Sequence, residues 1–562
     1  MVNENHEILI ESELKNLTNR FPQINKNEIL YHMLSLIFYR YLSEKIEEEN
    51  NKTSLKNMTF NTIEDIENFS KNIKEEQLKE YGYNINSPYL FKDICESLTN
   101  LSFNINDLET GMNNINNLEN ESFQEIFSLI PISDKISEIG EENTYKYFIT
   151  IITCIEKINN EDLVAAFEYL LPNGDYNHYY ISYLNGQHHY YLNNYFRKMT
   201  KILNNKKSLK VLDCECGYGS LLIDISKDYD YIDLYGLTSN KVYWNLSRMN
   251  LLIHDINYKN IHINYNDTLS RALEFTSEKF NHIIYNSKIK TFKNNWIDDL
   301  NKSLHSDESY NQIQKLDNEI EELRNKIQSY EEENENQDIL KEMSREYNEK
   351  RYERNRIVHG IPLKSKYRKI FNDIDNISEL LEYLKDDGNI ISFVSDRYLY
   401  VGSFKKERMK LIEENSLDSI MTFYNLKFSS ALNYVFLILK KSRQVNDVFF
   451  INTKNIEKKE KTDYYIPSSK IFEIYNQRKD IDKISYKTSL QEIKKNKYNL
   501  NISRYLDTFN KDPVKLDEIM NHLDKNNRKI EEIDSKIFES ANKLGINLDL
   551  MKKNKTIQKK LI

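Results

Sequence analysis

Residues 211–222, VLDCECGYGSLL, constrain the fold of this chain more than any other stretch. An apolar run ends on Asp213, passes through Gly217 and Gly219 and re-enters an apolar helical pattern, which reads as strand, tight turn and helix. Around it, the β-rich runs KVLDC, YIDLYGL, IHINY, NHIIYN and NIISFVS are separated by helical stretches such as KVYWNLSRMNLLIHD. Strands that alternate with helices require a mostly parallel, doubly wound sheet, here beginning near residue 205. Two later runs, DSIMTFY and YVFLILKK, have no helix between them and predict an antiparallel hairpin at the sheet edge.

The chain is too long for one hydrophobic core: 562 residues imply two or three domains, and 39% apolar residues suffice to fill them. The first 172 residues read as helical. Leu30, Met33, Leu34, Ile37, Phe38, Tyr41 and Leu42 recur at three and four and give one broad apolar face. A helix over 161–171 is followed by Pro172 and Gly174, which places a domain boundary there. Between 300 and 356 a charged segment interrupts the α/β pattern. Ile313, Leu316, Ile320, Leu323, Ile327 and Tyr330 follow a heptad seam, and Leu340, Met343 and Tyr347 resume it after a polar run, so an inserted antiparallel helical hairpin is expected. A last amphipathic helix over 512–545 carries Leu516, Ile519, Leu523, Ile530, Ile533 and Ile537, with Gly545 as its stop. The expected domains are therefore 1–172, 173–510 with the insertion at 300–356, and 511–562.

Charge and cysteine content narrow the function classes. A net charge of −9 argues against a surface that wraps nucleic acid, because phosphate binding needs clustered Lys and Arg. Cys95, Cys154, Cys214 and Cys216 form no disulfide framework and no zinc spacing, so they are read as reduced thiols, and no metal is expected. The paired His188 and His189 lack a third ligand. Neither a leader nor a membrane-length apolar run is evident, so a soluble cytoplasmic protein is expected.

The turn at 213–220 is the arrangement by which Rossmann-like sheets hold an adenosyl cofactor. Asp213 ends the strand, and Gly217 and Gly219 let the backbone approach where a side chain would collide. FNHIIYNSKIK at 280–290 then occupies the place of a catalytic loop.

From these residues outward the chain resembles the modification subunit of type I restriction-modification systems, an adenine-specific DNA methyltransferase family. The likeness runs in order through ILYHMLSLIFYRYLSEKIEE, LVAAFEYLL, the glycine turn, LSRMNLLIHDI, NDTL at 266–269, HGIP at 359–362, DDGNIISFVSD at 386–396, FLILKKSR and SLQEIKKNKYNLNISRYLD at 489–507. The resemblance implies a Rossmann-like S-adenosylmethionine-dependent methyltransferase domain, preceded by a helical domain and followed by a C-terminal helix for partner docking. It also implies DNA as substrate, a specificity subunit that reads the sequence, and a separate restriction subunit.

Carried over residue by residue, the resemblance assigns Asp213, Gly217, Gly219 and Asp267 to the cofactor and Asn286 to catalysis. The family's catalytic loop is Asn-Pro-Pro-aromatic, whereas this chain reads Asn286-Ser287-Lys288-Ile289. Loss of both prolines frees a loop that must aim a carbonyl, Ile289 cannot stack on a base, and Lys288 brings a cation towards a cationic cofactor. Phe292 is a candidate replacement ring. Thr238 stands where the family keeps an acid for the ribose hydroxyls, and YYLN at 190–193 replaces its aromatic-Thr-Pro element. Two readings follow: a working adenine methyltransferase, or a catalytically impaired pseudo-methyltransferase kept for assembly or DNA binding, towards which the altered positions lean. A small-molecule methyltransferase would share the turn but has no use for the helical domain or the closing segment.

Overall fold

The computed structural model describes residues 4–52, 63–171, 194–203, 208–238, 241–265, 278–286, 374–423, 434–453, 468–506 and 516–543, apart from positions 129 and 131, with scattered residues of 315–350 and 456–465. They form two compact units, 1–506 and 507–562.

Unit one is built on a nine-stranded sheet. In chain order the strands are β1 (Ser208–Asp213), β2 (Tyr231–Thr238), β3 (Ile261–Tyr265), β4 (Phe280–Asn286), β5 (Leu384–Ser395), β6 (Leu417–Phe423), β7 (Tyr434–Lys440), β8 (Asp447–Asn452) and β9 (Ser485–Ser489). Their spatial order is β9-β8-β6-β7-β5-β4-β1-β2-β3. β1 pairs in parallel with both β2 and β4, so the chain runs outward one way through β2 and β3 and the other way through β4 and β5. Strand order reverses between β1 and β4, and the carboxyl ends of these two strands flank the crevice where open α/β sheets bind ligands.

The predicted hairpin forms, but not at the edge. β7 is antiparallel to both β5 and β6, and β8 and β9 extend the sheet beyond β6. The reason lies in YVFLILK, whose first six residues are all buried. A strand that is apolar on both faces needs neighbours and cover on both sides, which an edge position does not provide. At the start of β6, Asp418 is 5% exposed and surrounded by Arg478 (3.2 Å), Arg443 (3.4 Å) and Lys440 (3.5 Å), while Tyr475 Oη donates to it at 2.9 Å. These cations hold its carboxyl below the usual range despite burial, which raises it.

Alternate residues of the strands feed two cores. Val211, Ile284 and Phe393 face the helical part of the chain, whereas Leu212, Tyr285 and Val394 face a 3-10 segment at Ile374–Tyr383 and two later helices. The helical part comprises α1 (Glu4–Arg20), α2 (Lys26–Lys52), α3 (Ile63–Glu80), α4 (Phe91–Thr99), α5 (Ile105–Asn116), α6 (Ile132–Ile139), α7 (Glu141–Glu156) and α8 (Leu163–Leu170). α2 departs from the expected one-sided burial. Residues 29–39 are buried on every side because α1, α4, α7 and α8 surround the helix. Some of the polar groups thus enclosed are matched: His32 Nδ1 lies 2.8 Å from Tyr147 Oη, and Arg40 donates to the carbonyls of Ile155 and Ile158.

A helix over 194–203 (α9) leads into β1; α10 (Ser220–Ser226) follows the glycine turn, and α11 (Lys241–Ile253) joins β2 to β3. α11 packs on α2 and α8 and joins the helical part to the sheet. Arg248 on α11 is fully buried. Its guanidinium donates to the carbonyls of Trp244 (3.1 Å), Glu121 (2.9 Å) and Gln124 (2.7 Å) and to Asn245 Oδ1 (2.7 Å), and lies 3.5 Å from the centroid of the Trp244 ring. Asn245 Nδ2 reaches the Glu125 carbonyl and Tyr31 Oη.

The inserted segment is helical at each described position between 315 and 350, and Lys350 Nζ lies 2.8 Å from Glu319 Oε2 across its two arms. In unit two, a single helix spans Leu516–Lys543. Leu523, Ile530, Ile533 and Ile537, which the heptad-like spacing places on one face, are each about half exposed. Gly545, the predicted stop, lies outside the described residues. No helix among the described residues is long and apolar enough to cross a membrane.

Candidate cofactor and catalytic site

The turn after β1 is stitched to both neighbouring strands. Cys214 N donates to Ile284 O of β4 (3.0 Å), Cys216 N to Leu237 O of β2 (3.1 Å), and Gly219 N to Cys216 O (2.8 Å). Asp213 is buried, and its Oδ1 accepts from the Glu215 backbone N–H at 3.1 Å, which helps hold the carboxylate at the strand end.

Both predicted glycines adopt left-handed backbone, φ +53° at Gly217 and +76° at Gly219, conformations that cost other residues strain. Their surroundings differ. A Cβ on Gly217 would meet no described atom within 4 Å. A Cβ on Gly219 would touch Leu251 Cγ (3.4 Å) and Ser247 O (3.5 Å) of α11, so Gly219 also permits close packing.

A third glycine escaped the sequence reasoning. Gly236 of β2 lies opposite Asp213 in register, and a Cβ there would come within 2.7 Å of Ile263 Cδ1 and 2.8 Å of Cys216 Sγ. Its signal was a glycine inside the strand pattern YIDLYGLT, which marks close approach by another segment. Gly236→Ala is expected to destabilise the protein by about 1–3 kcal/mol through overpacking, and to displace Cys216 and with it the turn. A lowered urea midpoint, with faster amide hydrogen exchange in the peptide spanning 214–222, checks this.

Asn286 ends β4 two residues beyond Ile284, the register partner of Asp213. Its Oδ1 is buried and has no hydrogen-bond partner among the described residues. Beside it, Phe393 of β5 is the register partner of Asn286 and stacks on Tyr434 of β7 at 5.1 Å and 14°. Thr238 is buried at the end of β2, opposite Tyr265 of β3. The structure therefore brings Asp213, Gly217, Gly219, Thr238 and Asn286 to one end of adjacent strands. Asp267, Ser287, Lys288, Ile289, Phe292, His188, His189 and residues 190–193 lie outside the described residues.

Burial pushes the Cys214 and Cys216 thiols well above their ordinary range, and the charge of Asp213 adds to it. Both are neutral thiols with little nucleophilic character. All four cysteines are unpaired with one another and buried. Among the described residues, no group of three or more His, Cys, Asp or Glu could hold a metal ion.

Comparisons with known proteins agree along most of the chain. The N-6 DNA methylase family matches residues 160–327 and 331–513. The type I restriction enzyme MpnII methylase subunit of Mycoplasma pneumoniae is 22% identical over 564 aligned positions, covering 92% of this chain and 93% of that protein. The MjaVII methylase subunit of Methanocaldococcus jannaschii is 23% identical over 454 positions, 74% of this chain and 65% of its own length. Among solved structures, the type I restriction-modification methyltransferase subunit from Streptococcus thermophilus superposes with a TM-score of 0.60 at 19% identity, covering 90% of this chain and all of that one. That likeness establishes a shared fold.

Proposed function

The chain belongs to the N-6 DNA methylase family, and from this premise we propose that it is the modification subunit of a type I restriction-modification system, methylating the exocyclic amine of adenine in DNA. The observation that carries the reading is Asn286 Oδ1, buried at the strand end next to the glycine turn and without a hydrogen-bond partner among the described residues.

S-adenosylmethionine, the cofactor the family implies, supplies an electrophilic methyl group on a sulfonium centre. The residues present fit it: among the described residues nothing lies within 4 Å of a Cβ on Gly217, Asp213 is anchored at the strand end, and Thr238 offers a hydroxyl, without charge, where the ribose would lie. Asp267 completes the set of four cofactor residues with Asp213, Gly217 and Gly219.

Adenine in a duplex is stacked and paired, so the base must leave the helix before its amine can be reached. Asn286 Oδ1 then accepts a hydrogen bond from the amine and orients the nitrogen lone pair towards the methyl group. A buried acceptor left unpaired costs about 1–3 kcal/mol, and pairing with the amine relieves that cost. The alternative, a fold retained only for assembly, rests on Ser287, Lys288, Ile289 and Thr238. The position of Asn286 at the end of β4, beside the glycine turn, favours catalysis.

In this reading a specificity subunit reads the target sequence, the helix of unit two docks a partner subunit, and a restriction subunit cuts unmodified DNA in the cytoplasm. The helical domain 1–172, the α/β domain 173–510 with its 300–356 insertion, and the docking element 511–562 are the corresponding divisions.

The test is calorimetry with S-adenosylmethionine, followed by a search for N6-methyladenine in DNA exposed to the protein with its specificity subunit. Asn286→Ala should lower methylation by a factor on the order of a hundred or more while cofactor affinity stays within about twofold. Cofactor binding with no methylation by the wild-type complex would restore the pseudo-enzyme reading.

A further inference from the structure

Two glycines at φ +53° and +76° make the 217–219 turn adaptable, and such freedom must be quenched before the turn can hold a ligand in one geometry. The quenching groups come from α11. Asn250, 2% exposed, donates through Nδ2 to the Tyr218 carbonyl at 2.9 Å. The Tyr243 ring meets the Tyr218 ring edge-on at 5.1 Å, and Ser247 and Leu251 lie beneath Gly219. The holder is itself held, because Asn245 and Arg248 on the same helix bind the carbonyls of Glu121, Gln124 and Glu125.

We propose that Asn250 is a positioning residue for S-adenosylmethionine, fixing the cofactor turn through the carbonyl of Tyr218. The inference rests on the reading of this turn as the cofactor's. Without Asn250 the turn samples other shapes, and apparent affinity falls in proportion to the fraction that remains competent. A second feature separates this role from a purely structural one. Asn250 Oδ1 is buried with no hydrogen-bond partner among the described residues. A near-isosteric leucine removes that unmet acceptor together with the donor, so its effects on stability offset one another.

Asn250→Leu and Asn250→Asp in the full-length protein provide the test; the second places a carboxylate oxygen against the Tyr218 carbonyl. Three quantities are read: the dissociation constant for S-adenosylmethionine, amide hydrogen exchange in the peptide spanning 214–222, and the thermal midpoint. For Asn250→Leu we expect affinity weakened about tenfold, faster exchange in that peptide and an unchanged midpoint. For Asn250→Asp the loss is larger. In turnover, KM for the cofactor should rise by more than kcat falls. Unchanged exchange and affinity overturn the proposal, as does a loss of affinity in both variants that simply tracks a lowered midpoint. If the wild-type protein does not bind S-adenosylmethionine, the methyltransferase reading fails along with the cofactor half of this inference, and exchange alone decides whether Asn250 holds the turn.

Discussion

Arg248→Met is expected to destabilise the protein by about 1–3 kcal/mol or more, because buried neutral acceptors lose their donor. The guanidinium satisfies carbonyls from two distant parts of the chain, Glu121 and Gln124 on one side and Trp244 on its own helix, together with Asn245 Oδ1. Methionine preserves much of the stem volume but supplies no donor. Several buried acceptors are then stranded, each costing about 1–3 kcal/mol, although methionine escapes the desolvation that arginine bears. That desolvation is large enough to pull Arg248 well below the usual arginine range. Arg248→Lys should fall between the two, because one ammonium cannot span carbonyls that a planar fork reaches together. Urea midpoints of the three proteins check the order. A midpoint for Arg248→Met equal to that of wild type would mean that the 121–125 segment has other means of satisfying its carbonyls.

Acidification below pH 6.5 should weaken the fold through two histidines. His32 in α2 and His282 in β4 are both fully buried, and burial holds each at about 3, with Lys135 adding to the effect at His32. In the unfolded chain both titrate near pH 6.5. Below that value the unfolded chain binds protons that the native protein refuses, so stability is lost as pH falls from about 6.5 towards 3 and is fully present above 7. Each histidine contributes about 1.4 kcal/mol per pH unit across that window, or about 4 kcal/mol for the pair by pH 5. Glu28 and Glu407 act in the opposite sense, because burial raises both carboxyls and the native protein takes up their protons first. Comparing wild type with a His32→Gln, His282→Gln double variant isolates the histidines: the variant's urea midpoint should change much less between pH 7 and pH 5. Parallel profiles would show that the two imidazoles do not carry the acid sensitivity.

Much of the site was legible before the fold was known because its signals are local. A strand ending in Asp213, two glycines and a helix are consecutive, and the backbone requirements at Gly217 and Gly219 are properties of those residues themselves. The helix over 241–253 and the strands on either side of it were equally visible from periodicity. Gly236 was harder. Its importance depends on Cys216 and Ile263, and nothing in YIDLYGLT says which side chains will lie against it. Asn250 presents the same difficulty, since a polar residue on a helix has no visible partner until the helix is placed beside the turn.

The sequence by itself determined the order of elements, the mostly parallel sheet and the shape of the glycine turn, because each follows from the chemistry of neighbouring residues, whereas the role expected of Asn286 came from the family resemblance. Only the tertiary structure decided that β7 inserts between β5 and β6, that α2 is enclosed on all sides, and that α11 joins the helical part to the glycine turn through Arg248, Asn245 and Asn250. Register, burial and buried hydrogen bonds are relations between residues far apart in sequence, and a polar side chain reads as exposed until its distant partner is known.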